Sequence, residues 1–152
     1  MKNIEKNLDV IRKNADEILK GYDNCVIALM DSLTLKFIKS NELKYIETLD
    51  SICRVSDGYV GEILAEECEE LFYKNFKGFF QYLYRHRNDN NCFENQLVWE
   101  ISLEMNMAED REKAKREVDS YLKDKIRELK LSEREIEYLK KIQAQFDPAK
   151  FD

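Results

Sequence analysis

Glu62, Glu66, Glu69 and Tyr73 recur at steps of three and four residues. In a helix of 3.6 residues per turn, that spacing places them on one stripe. Leu64, Cys68 and Leu71 fall on the opposite side. Three carboxylates and a phenol are therefore expected to face outward together. Like charges at such spacing destabilise a helix by roughly 0.2–0.5 kcal/mol per pair, so their presence invites a reason. One reason is a basic partner, steered by the acidic field and desolvated against the tyrosine. The blander reading is a solubilising face balanced by lysines of another helix. Glu47 and Asp50, nearby in sequence, are assigned to the same partner-facing surface.

The distribution of charge supports that choice. The chain carries a net charge of −6. Residues 108–135 interleave nine acids with nine bases and cancel, as a solvated helix surface does. Residues 42–70, by contrast, hold nine acids against Lys44 and Arg54, a local net charge of −7. The sign reverses in 71–87, where Lys74, Lys77, Arg85 and Arg87 meet no acid.

Other chemistry-bearing patterns are sparse. His86 is the only histidine and sits between Arg85 and Arg87, two cations that would repel a metal. A helical di-iron site needs Glu-x-x-His, yet Leu83 lies three residues before His86. Gly58-Tyr59-Val60-Gly61 could cradle a phosphate at a helix start, but Asp57 and Glu62 flank it and no base adjoins it. It reads as a helix cap. Phe76, Phe79, Phe80, Tyr82 and Tyr84 interleave with Lys74, Lys77, Arg85 and Arg87. Aromatics among cations can stack bases and hold phosphates, but core rings with basic neighbours at their rim are commoner, and Trp99 would suit the same core. No catalytic residue, metal ligand or cofactor is assigned, and nucleic acid is not an expected partner.

The elements that must position these residues read as helices. Ile4, Leu8, Ile11, Ala15 and Ile18 keep helical spacing before a stop at Gly21. Val26, Leu29, Met30, Leu33 and Phe37 line the next helix, which Ser40-Asn41 ends. Leu43, Ile46, Leu49, Ile52 and Cys53 line a third. A long stretch from Tyr59 to about Tyr84 follows, with Gly78 as the expected kink, and 85–91 is the clearest loop. Asn91 with Glu94, Asn106 with Glu109 and Ser132 with Glu135 each match the capping-box spacing that opens a helix.

Four glycines and one proline are too few for the turns of a β-rich fold. The fold expected is all-α, a single domain over 1–152 built as a bundle of six or seven mainly antiparallel helices, with 146–152 as a loosely ordered tail. The longest apolar run, Cys25 to Met30, is far below a membrane span. With no export signal apparent, a cytoplasmic location is expected, and Cys25, Cys53, Cys68 and Cys92, scattered without a C-x-x-C pair, read as free thiols. The function expected is a small acidic binding protein that sequesters or inhibits a basic protein partner: a toxin, a nuclease or a defence component. That is the work of an immunity, antitoxin or anti-defence protein. A helical subunit or adaptor of a larger assembly is the alternative, and an enzyme with dispersed catalytic residues ranks behind both.

Overall fold

A computed structural model describes residues 4–20, 23–89 and 91–152. Among the described residues helix makes up 84% and there is no strand, as the shortage of turn residues implies. The helices are α1 (Ile4–Lys13), α2 (Ala15–Leu19), α3 (Asp23–Ser40), α4 (Leu43–Val55), α5 (Gly58–Lys74), α6 (Phe76–Arg85), α7 (Cys92–Met107), α8 (Arg111–Leu129) and α9 (Glu133–Gln143), followed by a 3-10 turn at Pro148–Phe151. Nine helices replace the six or seven expected, because two of the expected ones are each broken once. The expected stop at Gly21 lies outside the described residues.

The first break is at Asn14, whose backbone leaves the helical region (φ −122°, ψ 27°) while its side chain donates to Val10 O at 2.9 Å. Asparagine competes for nearby backbone groups and so favours such interruptions. The second break is at Asn75 (φ −147°, ψ 61°), not at Gly78, which stays inside α6. The Asn75 amide donates to Asn41 Oδ1 at 2.7 Å and lies 3.5 Å from Phe37 O. Asn41 itself takes a positive φ of 59° just past α3, a conformation that asparagine tolerates better than most residues.

The internal contacts divide the chain into two units, Met1–Asn75 and Phe76–Asp152. In the first, α3 packs against both α4 and α5, and α1 and α2 pack against α4. Its core holds Leu8, Ile11, Leu29, Met30, Leu33, Phe37, Ile46, Leu49, Ile52, Leu64, Leu71 and Phe72, all buried. The Tyr45 hydroxyl of α4 donates to Glu5 Oε1 of α1 at 2.6 Å.

In the second unit, α7 packs against α8 and against the closing turn. Phe76, Phe79, Phe80, Phe93, Leu97, Ile101, Leu122, Leu139 and Ile142 are buried there. Phe76 stacks on Phe80 at 5.5 Å and Phe80 meets Tyr138 at 6.0 Å. These rings are core, so they form no stacking platform for bases.

The residues after 145 pack back onto α7 and α8. Phe146 is buried, and the Asp147 backbone N–H donates to Ser102 Oγ at 3.0 Å. Asn106 Nδ2 donates to Pro148 O at 2.9 Å, and Arg111 forks onto both carboxylate oxygens of Asp152 at 2.9 and 3.0 Å. Trp99, expected in the core, is 38% exposed and meets Phe151 edge-on at 5.6 Å. A buried ring and a set of hydrogen bonds to α7 and α8 oppose the ordering entropy of these terminal residues. Cys25 and Cys68 are in no disulfide, whereas Cys53 and Cys92 are each disulfide-bonded, which corrects the expectation of four thiols.

Candidate functional site

Two surfaces carry chemistry, one in each unit. In the first unit, α5 begins at Gly58, whose φ of +50° turns the chain into the helix. Val60, Leu64, Cys68, Leu71 and Phe72 are all buried along one side of α5. The opposite side presents Glu62 and Glu66, both exposed, and Tyr73, 43% exposed. Tyr59, at 55% exposure, lies on the same stripe one turn before Glu62. Two tyrosines thus bracket the acidic strip. Among the described residues Glu62 and Glu66 are in no ion pair.

The other assigned residues are differently placed. Glu69 is half-buried at the edge of the stripe. Glu47 is exposed on α4 and accepts from Arg12 at 3.3 Å. Asp50 is buried at 6% exposure, with Arg54 one turn away at 3.3 Å. Paired and buried, its carboxylate does not join the outward strip. Glu70, on the flank, is neutralised by Lys74, four residues on.

On the inner side of α5, Glu67 is 4% exposed. Its carboxyl interacts with the Asp31 carboxylate and the Thr34 hydroxyl, both on α3. Burial pushes the Glu67 carboxyl up to about 8, and the carboxylates of Asp31 and Glu70 add to the effect. At neutral pH this side chain is mostly a neutral acid, so it contributes little to the negative field of α5.

The second surface is a cleft of about 440 Å³ in the second unit. Tyr84 from α6, Arg87 and Asn88 from the following loop, Glu94 from α7, and Arg134, Tyr138, Lys141 and Gln145 from α9 and its exit all line it, with Glu137. The loop is fixed by short bonds. Asn91 caps α7 by accepting from the Glu94 N–H at 3.2 Å, and its amide lies 3.4 Å from Leu83 O. Arg87 donates to Tyr84 O at 2.7 Å and holds its guanidinium 4.0 Å from the centre of the Tyr84 ring, a cation–π arrangement. His86 lies 4.3 Å from the Tyr82 ring and 3.1 Å from Asp89.

The comparisons add no relative. No family model, no curated protein and no solved structure matches the chain.

At the back of the cleft, Tyr138 donates to Glu94 Oε2 at 2.9 Å, with Leu83 O at 3.3 Å. Burial, and then Glu94, raise the Tyr138 hydroxyl well above the ordinary phenol range. Gln145 Nε2 lies 3.4 Å from Glu94 Oε1, so both oxygens of Glu94 are occupied. Arg87, Arg134 and Lys141 are exposed and in no ion pair among the described residues. Sequence reasoning singled out Tyr84 and Arg87 but missed the α9 side. The available signal was the spacing 134, 138, 141, 145, which puts two cations, a tyrosine and an amide on one helical stripe.

Proposed function

We propose that the chain is a protein-binding module that sequesters or inhibits a basic protein, docked on the outward strip of α5. The observation that supports this reading most is the exposure of Glu62 and Glu66 between Tyr59 and Tyr73, with no cation paired to either carboxylate among the described residues. Exposed tyrosines supply rigid contact area, and carboxylates left open can pair with an incoming lysine or arginine surface. An immunity, antitoxin or anti-defence role follows if that partner is a toxin, a nuclease or a defence protein. Asp50 and Glu47, already paired inside the unit, contribute at most to the long-range field.

The site of action proposed is the cytoplasm. Reducing conditions there open disulfides, so binding must persist when Cys53 and Cys92 are reduced. The test is a comparison of the wild type with the double variant Glu62→Lys/Glu66→Lys against the basic protein that co-purifies from the native cell. Loss of that one protein from the variant supports the reading, and equal retention removes it.

A further inference from the structure

We infer that the cleft between the 86–89 loop and α9 is a binding site for a small phosphorylated polyol or sugar. This goes beyond the docking strip of α5 and uses none of its residues. Three cations line the cleft: Arg87 from the loop, and Arg134 and Lys141 two turns apart on α9. None is neutralised by a carboxylate in an ion pair among the described residues. They outnumber the two carboxylates of the lining, Glu94 and Glu137, and an oxyanion with two negative charges offsets the excess while accepting their hydrogen bonds. Arg87 is preorganised for this, because a carbonyl bond and the Tyr84 ring hold its guanidinium in place.

The rest of the lining selects the rest of the ligand. A volume of about 440 Å³ leaves room well beyond a phosphate group. What surrounds that room is polar: the amide of Asn88 and the carboxylate of Glu137 are open to a ligand, beside Glu94 and Gln145, which are bonded to each other. A carboxylate and an amide beside cations are an acceptor and a donor suited to hydroxyl groups. A planar base has less to stack on. Tyr84 is covered by Arg87 and meets Tyr138 at 5.7 Å, and the Tyr138 hydroxyl is committed to Glu94.

The experiment is isothermal titration calorimetry of the full chain with sorbitol phosphate, sorbitol, inorganic phosphate and adenosine monophosphate. Sorbitol phosphate is expected to bind most tightly and sorbitol not at all. Arg134→Gln and Lys141→Gln should each weaken it by about tenfold or more, as loss of a charge-assisted hydrogen bond does. Their helical spectra should match the wild type, since both side chains are exposed. Affinity should also rise with pH through about 6, where a phosphate monoester gains its second charge. Sorbitol phosphate that does not bind, or binds both variants as well as the wild type, overturns the inference. Inorganic phosphate binding as tightly as sorbitol phosphate overturns the polyol half, and so does tighter binding of adenosine monophosphate.

Discussion

The Tyr138 hydroxyl donates to a carboxylate oxygen of Glu94 at 2.9 Å and so ties α9 to the first turn of α7. Neither residue is near the other in sequence, and the bond closes the back of the cleft. Replacing Tyr138 by Phe keeps the ring in the core and deletes only the donor. That change should cost about 1 kcal/mol, the usual net value of such a bond. It should also change the response to alkali. The folded protein holds the Tyr138 proton after an unfolded tyrosine, with its ordinary pKa of 10.0, has released it. Stability therefore falls as pH rises beyond 10, and Tyr138→Phe should lose part of that dependence. Urea midpoints of the two proteins at neutral pH and above 10 measure both effects, and identical midpoints throughout would contradict the bond.

Glu67 gives a dependence of the same sign at lower pH. Its carboxyl is raised from 4.5 to about 8 in the folded chain. Between those values the folded state holds a proton that the unfolded chain has lost. Stability is thus fully present below about 4.5 and declines as pH rises towards 8. Glu67→Gln mimics the neutral acid in shape and cannot ionise. It should match the wild type near pH 5 and be the more stable protein near pH 9. Denaturant midpoints at the two pH values decide this, and a variant that is less stable at both refutes the neutral-acid assignment.

What was legible and what was not follows from the range of the interactions. Ser132 and Glu135 form a complete capping box, each side chain bonded to the other's backbone N–H, because that motif is closed within four residues. Asn91 caps α7 by accepting from the Glu94 N–H, while the Glu94 side chain goes to Tyr138. Asn106, at the same spacing, caps nothing. It remains inside α7 and serves Pro148 and Asp152, while Asp110 caps α8 by accepting from Lys113 N at 3.0 Å. The break at Asn75 was missed for a similar reason: its partners Asn41 and Phe37 are more than thirty residues away. Gly78 looked the better breaker, yet a helical glycine costs only about 1 kcal/mol and packing overrides it. The outward face of α5 was readable from period alone. The cleft was not, because Arg87 and Lys141 meet only once α6, the loop and α9 are packed.

The docked tail makes a fluorescence prediction. Trp99 is the only tryptophan and Phe151 covers its edge. Phe146→Ala should remove the anchor that holds the turn, costing about 3–5 kcal/mol for a buried phenylalanine. Trp99 emission should then shift to longer wavelength as water replaces Phe151. Emission that stays at the wild-type wavelength would mean that the turn docks without Phe146.

The cysteines allow a direct count. Alkylation of the unfolded, unreduced chain should add two groups, at Cys25 and Cys68. After reduction it should add four, because Cys53 and Cys92 are then opened. Intact mass reads both numbers, and four groups before reduction would restore the all-thiol expectation.

The acidic strip of α5 yields the prediction with most bearing on function. If a basic protein docks there, its association should be fast at low salt and slow steeply as salt screens the field, since the Debye length falls to about 3 Å at 1 M. Glu62→Lys/Glu66→Lys should leave the fold intact, because exposed substitutions usually shift stability by no more than about 0.5 kcal/mol. These two positions are better probes than Glu69, which is half-buried. The double reversal should act on the on-rate, as rim charges do. Tyr73→Ala should act on the off-rate, because Tyr73 would lose a desolvated contact that forms only after encounter. Tyr59→Ala, at the other end of the strip, should do the same. Surface plasmon resonance of the co-purifying protein at two salt concentrations separates the rates. An unchanged on-rate in the double reversal, with unchanged off-rates in both tyrosine variants, would leave the strip as a solvated face and nothing more.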